Sequence, residues 1–325
     1  RYFVTVFREY MDDSYLLISP CRNEADFMVN TLDSVGNQSM LPAKGSIVDD
    51  GSTDATPEIL QRYSDQYDFI QIVTRDNRGH RSVGPGVIEA FYAGLEIVDL
   101  NDYQFVCKLD LDLGLPTGYF QLLIQRMNEN LRIGTCSGKP YNKRGDKLVS
   151  ERRGDEMSVG MTKFYRTSCF HQIGGFVSEV MWDAIDCHRC RQLGWLACSW
   201  DDSELRFVHL RIMGSSQDSV YQGRIRHGFG QYFMGTGLLY MFATSVYRML
   251  HPPYFLGGLA MFWGYLKSCF KQAPKYRDEQ LRKFIRRYQW KCLLLGKSRA
   301  TSLLDTQQAA VWNQQAQYGH NYKTS

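Results

Sequence analysis

The sequence predicts an α/β fold in which a mainly parallel sheet is flanked by helices, followed by a C-terminal helical region. Two observations predict it. Strand-like and helix-like segments alternate through the first two-thirds of the chain, and polar clusters follow three of the strand-like segments. The 325 residues, 44% of them hydrophobic, suffice for one large domain with an appendage. Strands that alternate with helices form βαβ units, whose strands lie parallel in one sheet.

The alternating segments follow one another in order. Four strand-like segments are short apolar runs, at 15–19, 46–48, 69–73 and 105–109. Three helix-like segments separate them, at 27–35, 56–63 and 87–98. Thr56 and Pro57 predict the start of the second helix, with Thr56 as its N-cap. In such sheets, ligands bind outside the carboxyl ends of the strands, which is where the polar clusters lie.

The composition changes along the chain, and we predict three regions from it. An α/β domain spans 1–227, and a hydrophobic and basic helical region spans 228–304. A polar tail follows at 305–325, which we expect to be loosely ordered.

The helical region contains two uncharged segments, 228–247 and 254–266, followed by the segment 267–299, which is rich in Lys and Arg with aromatic residues between them. Neither uncharged segment is a convincing membrane span. The basic segment is typical of an interfacial helix on an anionic membrane. The alternative is a helical subdomain packed on the sheet, with a solvated basic face.

The charge and the cysteines exclude some classes of protein. The formal net charge of +4 is too balanced for a nucleic-acid binder, so we expect no nucleic-acid partner. The nine cysteines are an odd number, which favours reduced thiols and a cytoplasmic location. Cys187 and Cys190 have the spacing of half a zinc site, but no second pair follows. We therefore favour buried helical cysteines over a zinc site.

Two carboxylates follow the fourth strand-like segment. Because side chains alternate along an extended chain, Asp110 and Asp112 lie on the same side. Paired carboxylates suit Mg²⁺ or Mn²⁺, which prefer oxygen ligands and often bridge to substrate phosphates. A pair of aspartates alone is more often a solvated turn.

A second acidic cluster, 49–54, follows the second strand-like segment. One interpretation is an Asx-type turn that caps the next helix. The other is a cradle for a base and a ribose, because carboxylates accept hydrogen bonds from imide N–H and hydroxyl groups.

Taken together and in this order, the segments 20–24, 49–54 and 110–112 resemble the inverting family 2 glycosyltransferases of GT-A fold, of the bacterial exopolysaccharide and cell-surface polysaccharide type. The resemblance covers roughly residues 13–215. It implies metal-dependent transfer of a sugar from a UDP-, GDP- or dTDP-sugar to a glycan or lipid-linked acceptor. The uncharged and basic segments after residue 228 predict a peripheral location at the inner face of the cell membrane, where lipid-linked acceptors lie.

The resemblance also assigns roles at the donor side. It implies donor contacts from Pro20, Arg22, Glu24, Asp49, Asp50, Arg78, Arg81 and Asp110. Asp50 matches the position that contacts the base, and a solvated turn is the alternative for Arg78. Asp112 is the first choice for a metal ligand, assisted by Asp110 and by His209. A core histidine is the alternative for His209.

On the acceptor side, the segments 173–176 and 182–186 resemble the family's Gly-Gly turn and acidic pair. The family's catalytic base lies in that pair, which predicts Asp183 as the base, with Asp186 as runner-up. A helix N-cap is the alternative role for Asp183. Trp182 departs from the family pattern at the first position of the pair, and the QxxRW motif of processive synthases is absent from the expected region.

Three other functions are compatible with an α/β fold that binds nucleotides. A catalytically silent nucleotide-sugar-binding subunit of a polysaccharide assembly is the main alternative, against which the acidic residues argue. A nucleotidyltransferase or a dinucleotide-dependent oxidoreductase would carry a glycine-rich loop after its first strand, and the segment 19–24 has none.

Overall fold

The computed structural model describes residues 13–79, 84–152, 154–211 and 219–321. Two compact units can be distinguished. The described residues up to Gly175, with Ala197–Leu210, form the first unit. The second comprises Phe176–Leu196 and the described residues from Arg211 onward.

The strands are short. In chain order they are β1 (Tyr15–Cys21), β2 (Lys44–Asp49), β3 (Ile70–Thr74), β4 (Phe105–Leu109), β5 (Leu113–Gly114), β6 (Ile133–Ser137), β7 (Lys139–Arg144), β8 (Lys147–Ser150), β9 (Thr162–Arg166), β10 (Leu196–Ser199) and β11 (Arg206–His209). All four strand-like segments predicted from the sequence lie within or overlap β1–β4, so these predictions are confirmed.

The helices follow the same order along the chain. They are α1 (Met28–Gly36), α2 (Thr56–Gln66), α3 (Pro85–Leu95), α4 (Tyr119–Glu129), α5 (Thr167–Ile173), α6 (Trp182–Gln192), α7 (Val220–Met234), α8 (Leu238–Met249), α9 (Leu256–Phe270), α10 (Glu279–Leu295) and α11 (Lys297–Asn321).

The main sheet has seven strands in the order β10-β6-β9-β4-β1-β2-β3. β1 runs parallel to both β2 and β4, and β2 runs parallel to β3. Only β9 is shown antiparallel to its neighbours, β4 and β6. The sheet is therefore mainly parallel, and the predicted fold class is confirmed. A strand covered on both faces is buried along its length, as β4 is throughout and β1 is at all positions except Pro20.

Helices α1 and α2 cover one end of this sheet. Met28 and Leu32 of α1 join Leu60 of α2 and Ile47 of β2 in one buried cluster. Helix α2 begins at Thr56, the residue that was predicted to be its N-cap. Its N-cap is Ala55, and the hydroxyl of Thr56 instead accepts a hydrogen bond from the backbone N–H of Glu24 at 2.9 Å. The predicted cap is wrong because Thr56 is used to join two loops.

A second, four-stranded sheet has the order β5-β11-β7-β8. β11 pairs antiparallel with β5 and parallel with β7, and β7 pairs antiparallel with β8. Its strands come from distant parts of the chain. Its first strand in the chain, β5, directly follows Asp112.

The second unit is helical. Helix α10 buries Leu281, Ile285 and Tyr288, so the predicted interfacial helix uses much of its apolar surface for packing. The basic segment is also broken, since α9 ends at Phe270 before α10 begins. This face of α10 packs within the second unit, whereas Phe270 and Trp290 are exposed. Both the interfacial helix and the subdomain packed on the sheet stay predictions. Among the described residues, no helix is long and apolar enough to cross a membrane.

Residues predicted to form a loose tail continue helix α11 as far as Asn321. That prediction is wrong for 305–321, because these residues are helical. At the start of this stretch, Asp305 forms an ion pair of 2.9 Å with Arg191 of α6, a contact that no local pattern reveals. Helix α6 contacts both α10 and α11, which places it in the second unit. The division of the chain into 1–227, 228–304 and 305–325 stays a prediction. Cys187 and Cys190 are buried in α6, as predicted.

Candidate functional site

The carboxyl ends of β1 and β2 lie side by side, because these strands are parallel neighbours with Cys21 opposite Asp49. The loops that follow them interlock. The backbone N–H of Asn23 donates to Ser52 Oγ at 2.9 Å, and that of Thr53 donates to Asn23 Oδ1 at 2.8 Å. Pro20 lies in β1 beside Val48, and Glu24 is buried. The first two predicted clusters therefore form one surface.

Asp49 and Asp54 stabilise the loop after β2 by accepting hydrogen bonds from its backbone. Asp49 Oδ1 accepts the backbone N–H of Ser52 at 2.9 Å, and Asp54 Oδ1 accepts that of Thr56 at 3.0 Å. Gly51 lies between them with φ +73°, in the left-handed region that favours glycine. The Asx-turn interpretation is confirmed for Asp54, which bonds to the backbone two residues ahead, but the N-cap of α2, Ala55, has no side-chain cap. Contact of Asp49 with a donor stays a prediction.

Asp50 holds two arginines. Its carboxylate accepts Arg75 Nη1 at 2.7 Å and both of its oxygens accept Arg78 Nη2 at 2.6 Å. Arg78 also donates to Glu89, so the solvated-turn alternative for this residue is wrong. Arg22 Nη1 donates to the backbone carbonyl of Asp50 at 2.6 Å. Three guanidinium groups therefore converge on Asp50, the residue that the resemblance assigns to the base. Arg81 lies outside the described residues.

The first carboxylate after β4 forms an ion pair that the sequence analysis missed. Lys108, 2% exposed, donates to Asp110 and to the carbonyl oxygen of Gly160. Burial raises the pKa of Asp110, the charge of Lys108 opposes this effect, and the charge of Asp112 adds to it. Lys108 thus neutralises one of the two predicted metal carboxylates.

The second carboxylate faces the late histidine. Because β5 pairs with β11, Leu113 lies opposite His209, and the backbone N–H of Leu210 donates to the Asp112 carbonyl at 2.9 Å. This register brings His209 Nε2 to 3.6 Å from Asp112 Oδ2. The structure therefore brings together these two of the three predicted ligands.

On its other side, His209 contacts Glu151, which follows β8. His209 Nδ1 lies 2.6 Å from Glu151 Oε1, which also accepts Asn142 Nδ2 at 3.0 Å. Burial alone lowers the pKa of His209, but the hydrogen bonds and charges of Asp112 and Glu151 outweigh burial and raise it to about 9. His209 therefore carries a proton at neutral pH while no cation competes for its Nε2. The core-histidine alternative describes its burial but not its charged partners.

The side chains predicted to bind a divalent cation form only part of a metal site. Within the described ranges, no group of three or more His, Cys, Asp and Glu side chains is arranged to hold a metal ion. Asp112 and His209 offer one carboxylate oxygen and one imidazole nitrogen, which fit Mn²⁺ or Mg²⁺ as a partial site. Mg²⁺-type sites commonly combine one or two protein ligands with substrate phosphates, so the pair fits a cation that binds together with a diphosphate.

The predicted acceptor-side pair lies in the second unit, at the start of α6. Asp183 is the second residue of the helix rather than its N-cap, which is Met181. Asp183 is half-buried, whereas Asp186 is 2% exposed and its Oδ1 accepts the backbone N–H of Cys187 at 2.5 Å. The greater exposure favours Asp183 over Asp186 as the group that can meet an acceptor.

Sequence reasoning missed Lys108, Glu151 and Arg75. Lys108 left a signal, since it is a lone cation within an apolar strand and shares a side with Asp110. Glu151 left none, because its contact with His209 spans 58 residues.

Comparisons with known proteins agree with this geometry. The model of glycosyl transferase family 2 matches residues 16–178. The chain is 27% identical over 128 residues to the poly-beta-1,6-N-acetyl-D-glucosamine synthase of Staphylococcus epidermidis. This match covers 39% of the chain and 28% of that protein. The Staphylococcus aureus (strain MSSA476) protein of the same name is 26% identical over 121 residues, which are 37% of this chain and 27% of that protein.

Two solved structures share the fold. GalNAc-T7 with UDP, GalNAc and Mn²⁺ has a TM-score of 0.54 at 13% identity, over 83% of this chain and 54% of that one. Staphylococcus aureus TarS 1-349 in complex with UDP-GlcNAc has a TM-score of 0.50 at 14% identity, over 93% and 92% of the two chains. At these identities the likeness supports the GT-A fold alone. Because the family model matches half of the chain, and its segments carry the interlocked loops and the Asp112 carboxylate, the chain belongs to glycosyl transferase family 2.

Proposed function

We propose that this protein transfers a sugar, with inversion, from a nucleotide-diphosphate donor to a glycan or lipid-linked acceptor in surface or exopolysaccharide synthesis. The observation that carries the proposal is the row Asp112, His209 and Glu151 at the carboxyl end of β4. In an open α/β sheet, ligands bind outside the carboxyl ends of the strands, and this row lies at such an end.

The donor's charged part fits the guanidinium groups of Arg22, Arg75 and Arg78. Planar guanidinium groups bind phosphate oxygens with two parallel hydrogen bonds, and Asp50 holds two of the three in place. Asp50 keeps a second proposed role, as acceptor for the base. UDP is the first nucleotide to test, followed by GDP and dTDP.

Asp112 and His209 would hold the divalent cation, which when bound stabilises the charge that develops on the departing diphosphate. Glu151 accepts the Nδ1 proton of His209 and so keeps Nε2 turned toward Asp112. Lys108 offsets the charge of Asp110, which limits repulsion between that carboxylate and the diphosphate.

Asp183 is the proposed base. It takes the proton of the acceptor hydroxyl as that oxygen bonds to the anomeric carbon, and the bond from that carbon to the diphosphate oxygen breaks on the opposite side. The products are the extended acceptor, the nucleoside diphosphate and a protonated Asp183. A single displacement of this kind inverts the anomeric centre.

The location proposed for this reaction is the inner face of the cell membrane, with the protein bound peripherally. The support is the apolar and basic composition of residues 228–299, which suits a surface where lipid-linked acceptors lie.

Calorimetry tests the donor site. UDP, GDP and dTDP are titrated with and without Mn²⁺ into the wild type, Asp112→Asn and Asp68→Asn, an exposed aspartate that serves as the matched control. We expect one nucleotide to bind tightly only with Mn²⁺, and Asp112→Asn to weaken it at least tenfold while the control does not. If no nucleotide binds under either condition, the proposal is refuted.

Turnover separates the enzyme from the silent-subunit alternative. The nucleotide sugar of the preferred base is incubated with membrane-extracted lipid-linked glycans, and release of nucleoside diphosphate is measured. We expect release by the wild type and none by Asp183→Asn, with donor binding retained in both. Binding without release in the wild type would instead establish the silent subunit.

A further inference from the structure

The chain between Asp218 and Asp278 contains no acidic residue. It contains seven basic residues: Arg224, Arg226, Arg248, Lys267, Lys271, Lys275 and Arg277. Its described part forms α7, α8 and α9 of the second unit. A segment of this length with one sign of charge produces a positive potential that favours anions.

Helices α7 and α9 approach each other closely. A Cβ added at Gly228 would lie 2.0 Å from the carbonyl oxygen of Met261, and one at Gly264 would lie 2.1 Å from that of Ile225. Glycines at both points let the two backbones touch, so the two helices are held in one arrangement.

A cavity of about 530 Å³ lies between these helices. Its walls include three cations and two apolar side chains, Arg226, Lys267, Lys271, Ile225 and Phe229. No carboxylate is among the residues that line it. The cavity is large enough for a phosphate-bearing group and has the charge to attract one.

Arg226 is the residue that most requires an anion. Its Nη1 atom is buried and donates no hydrogen bond within the described part of the chain, and burial lowers the pKa of the guanidinium group. A buried cation is costly unless an opposite charge or hydrogen bonds compensate it. Arg226, Lys267 and Lys271 therefore form a positively charged site that an anionic ligand would stabilise.

An exposed apolar face on α8 and α9 adjoins this cavity through helix α9. Across residues 238–270, which comprise α8, α9 and the loop between them, twelve large hydrophobic side chains are exposed: Leu238, Leu239, Phe242, Val246, Tyr247, Leu250, Tyr254, Phe255, Leu256, Leu259, Trp263 and Phe270. Half of the exposed large hydrophobics of the chain's described part occur in these 33 residues. A patch of this kind marks an interaction site, and its Tyr and Trp residues are typical of a membrane interface.

We propose that the cavity between α7 and α9 binds the phosphate-bearing headgroup of an anionic membrane lipid, while the apolar face of α8 and α9 enters the acyl boundary. The charge of the cavity selects an anion, and the adjacent apolar face selects a lipid over a free phosphate. This inference rests on the membrane location in the proposed function and names its partner. It makes no use of the donor site.

Vesicle flotation tests the proposal with the full chain. The vesicles are pure phosphatidylcholine, or phosphatidylcholine mixed with an equal amount of phosphatidylglycerol. The variants are Arg226→Gln and the double variant Lys267→Gln/Lys271→Gln. Lys143→Gln/Lys147→Gln removes the same charge from exposed positions of the β7–β8 hairpin and is the matched control.

We expect the wild type to float with the anionic vesicles and not with the neutral ones. The Lys267/Lys271 double variant should partition about 25-fold more weakly, as two basic residues of about fivefold each, and the control within about threefold of wild type. Because Lys267 and Lys271 are exposed, their loss should leave the fold intact, which circular dichroism verifies. Arg226→Gln should also bind more weakly and should not be less stable than wild type.

Three outcomes would overturn the proposal. Equal losses in the double variant and its control would mean that only net charge matters. Equal flotation with neutral vesicles would remove any role for the headgroup. Binding of inorganic pyrophosphate to the cavity without flotation on either vesicle would assign the site to a free phosphate. UDP binding, measured in parallel by calorimetry, shows whether a failure concerns the membrane or the donor site.

Discussion

Helix α11 is joined to α6 by an ion pair in which Arg191 is almost completely buried. Arg191 Nε lies 2.9 Å from Asp305 Oδ1, and the two side chains are 3% and 22% exposed. Burial lowers the pKa of Arg191, but the neighbouring charges, that of Asp305 first, outweigh burial and raise the pKa, so the guanidinium stays charged. We predict that Asp305→Ala destabilises the second unit, because a buried charge then loses a compensating carboxylate.

The magnitude follows from the burial of the two partners. Breaking a fully buried ion pair by removing one partner costs about 3–5 kcal/mol. Water reaches Asp305 more readily than Arg191, so we expect about 2–4 kcal/mol of unfolding free energy to be lost. The matched control is the exposed pair Lys283–Glu279, which has the same N–O distance of 2.9 Å with both side chains 64% exposed. Lys283→Ala should cost at most about 0.5 kcal/mol.

Urea denaturation, followed by near-ultraviolet circular dichroism, measures the difference. Trp195 and Trp312 report on the docking of α11, because their ring centroids lie 4.3 Å apart. A double variant, Arg191→Met with Asp305→Leu, removes both charges and should recover most of the stability lost in Asp305→Ala. If Asp305→Ala costs no more than Lys283→Ala, the reasoning is refuted. A double variant as unstable as Asp305→Ala would show that packing, not charge, is responsible.

Three further predictions concern the site and the helices. Glu151→Gln should lower the pKa of His209 from about 9 toward 6.5, as measured by NMR titration without divalent cations. A raised histidine pKa stabilises the fold below pH 6.5 and loses this effect as pH rises through 9, so the variant should lose less stability across that window. Gly51→Ala should cost about 1–3 kcal/mol and weaken nucleotide binding, because φ is +73° and the new Cβ would lie 2.4 Å from Asn77 Cα. Gly228→Ala should cost at least about 2 kcal/mol in thermal unfolding, because its Cβ would meet the backbone of α9.

Two of these predictions have a control within the chain. Gly223 lies in the same helix as Gly228, with open space around an added Cβ, so Gly223→Ala should stabilise by up to about 1 kcal/mol. Glu204→Gln changes an exposed carboxylate and should leave the His209 titration unchanged. A stable Gly228→Ala variant, or an unchanged His209 pKa in Glu151→Gln, would contradict the contacts on which these expectations are based.

The site could be predicted in part because some of its contacts are local. Asp49, Gly51 and Asp54 form their turns with residues two or three positions away, which is a distance at which residue type decides conformation. From the sequence, the predicted contact of Arg78 with the donor could not be separated from a solvated turn. The reason is that its partner Asp50 lies 28 residues earlier in the chain.

The sequence by itself determined the alternation of strands and helices, the mainly parallel sheet and the polar clusters at the strand ends. These follow from periodicities of two and 3.6 residues, which each segment carries independently of the others. Only the tertiary structure decided which of the polar residues meet. His209 reaches Asp112 through the pairing of β11 with the two-residue strand β5, and Asp305 reaches Arg191 across 114 residues. Such contacts depend on how whole elements pack, and no local pattern encodes that.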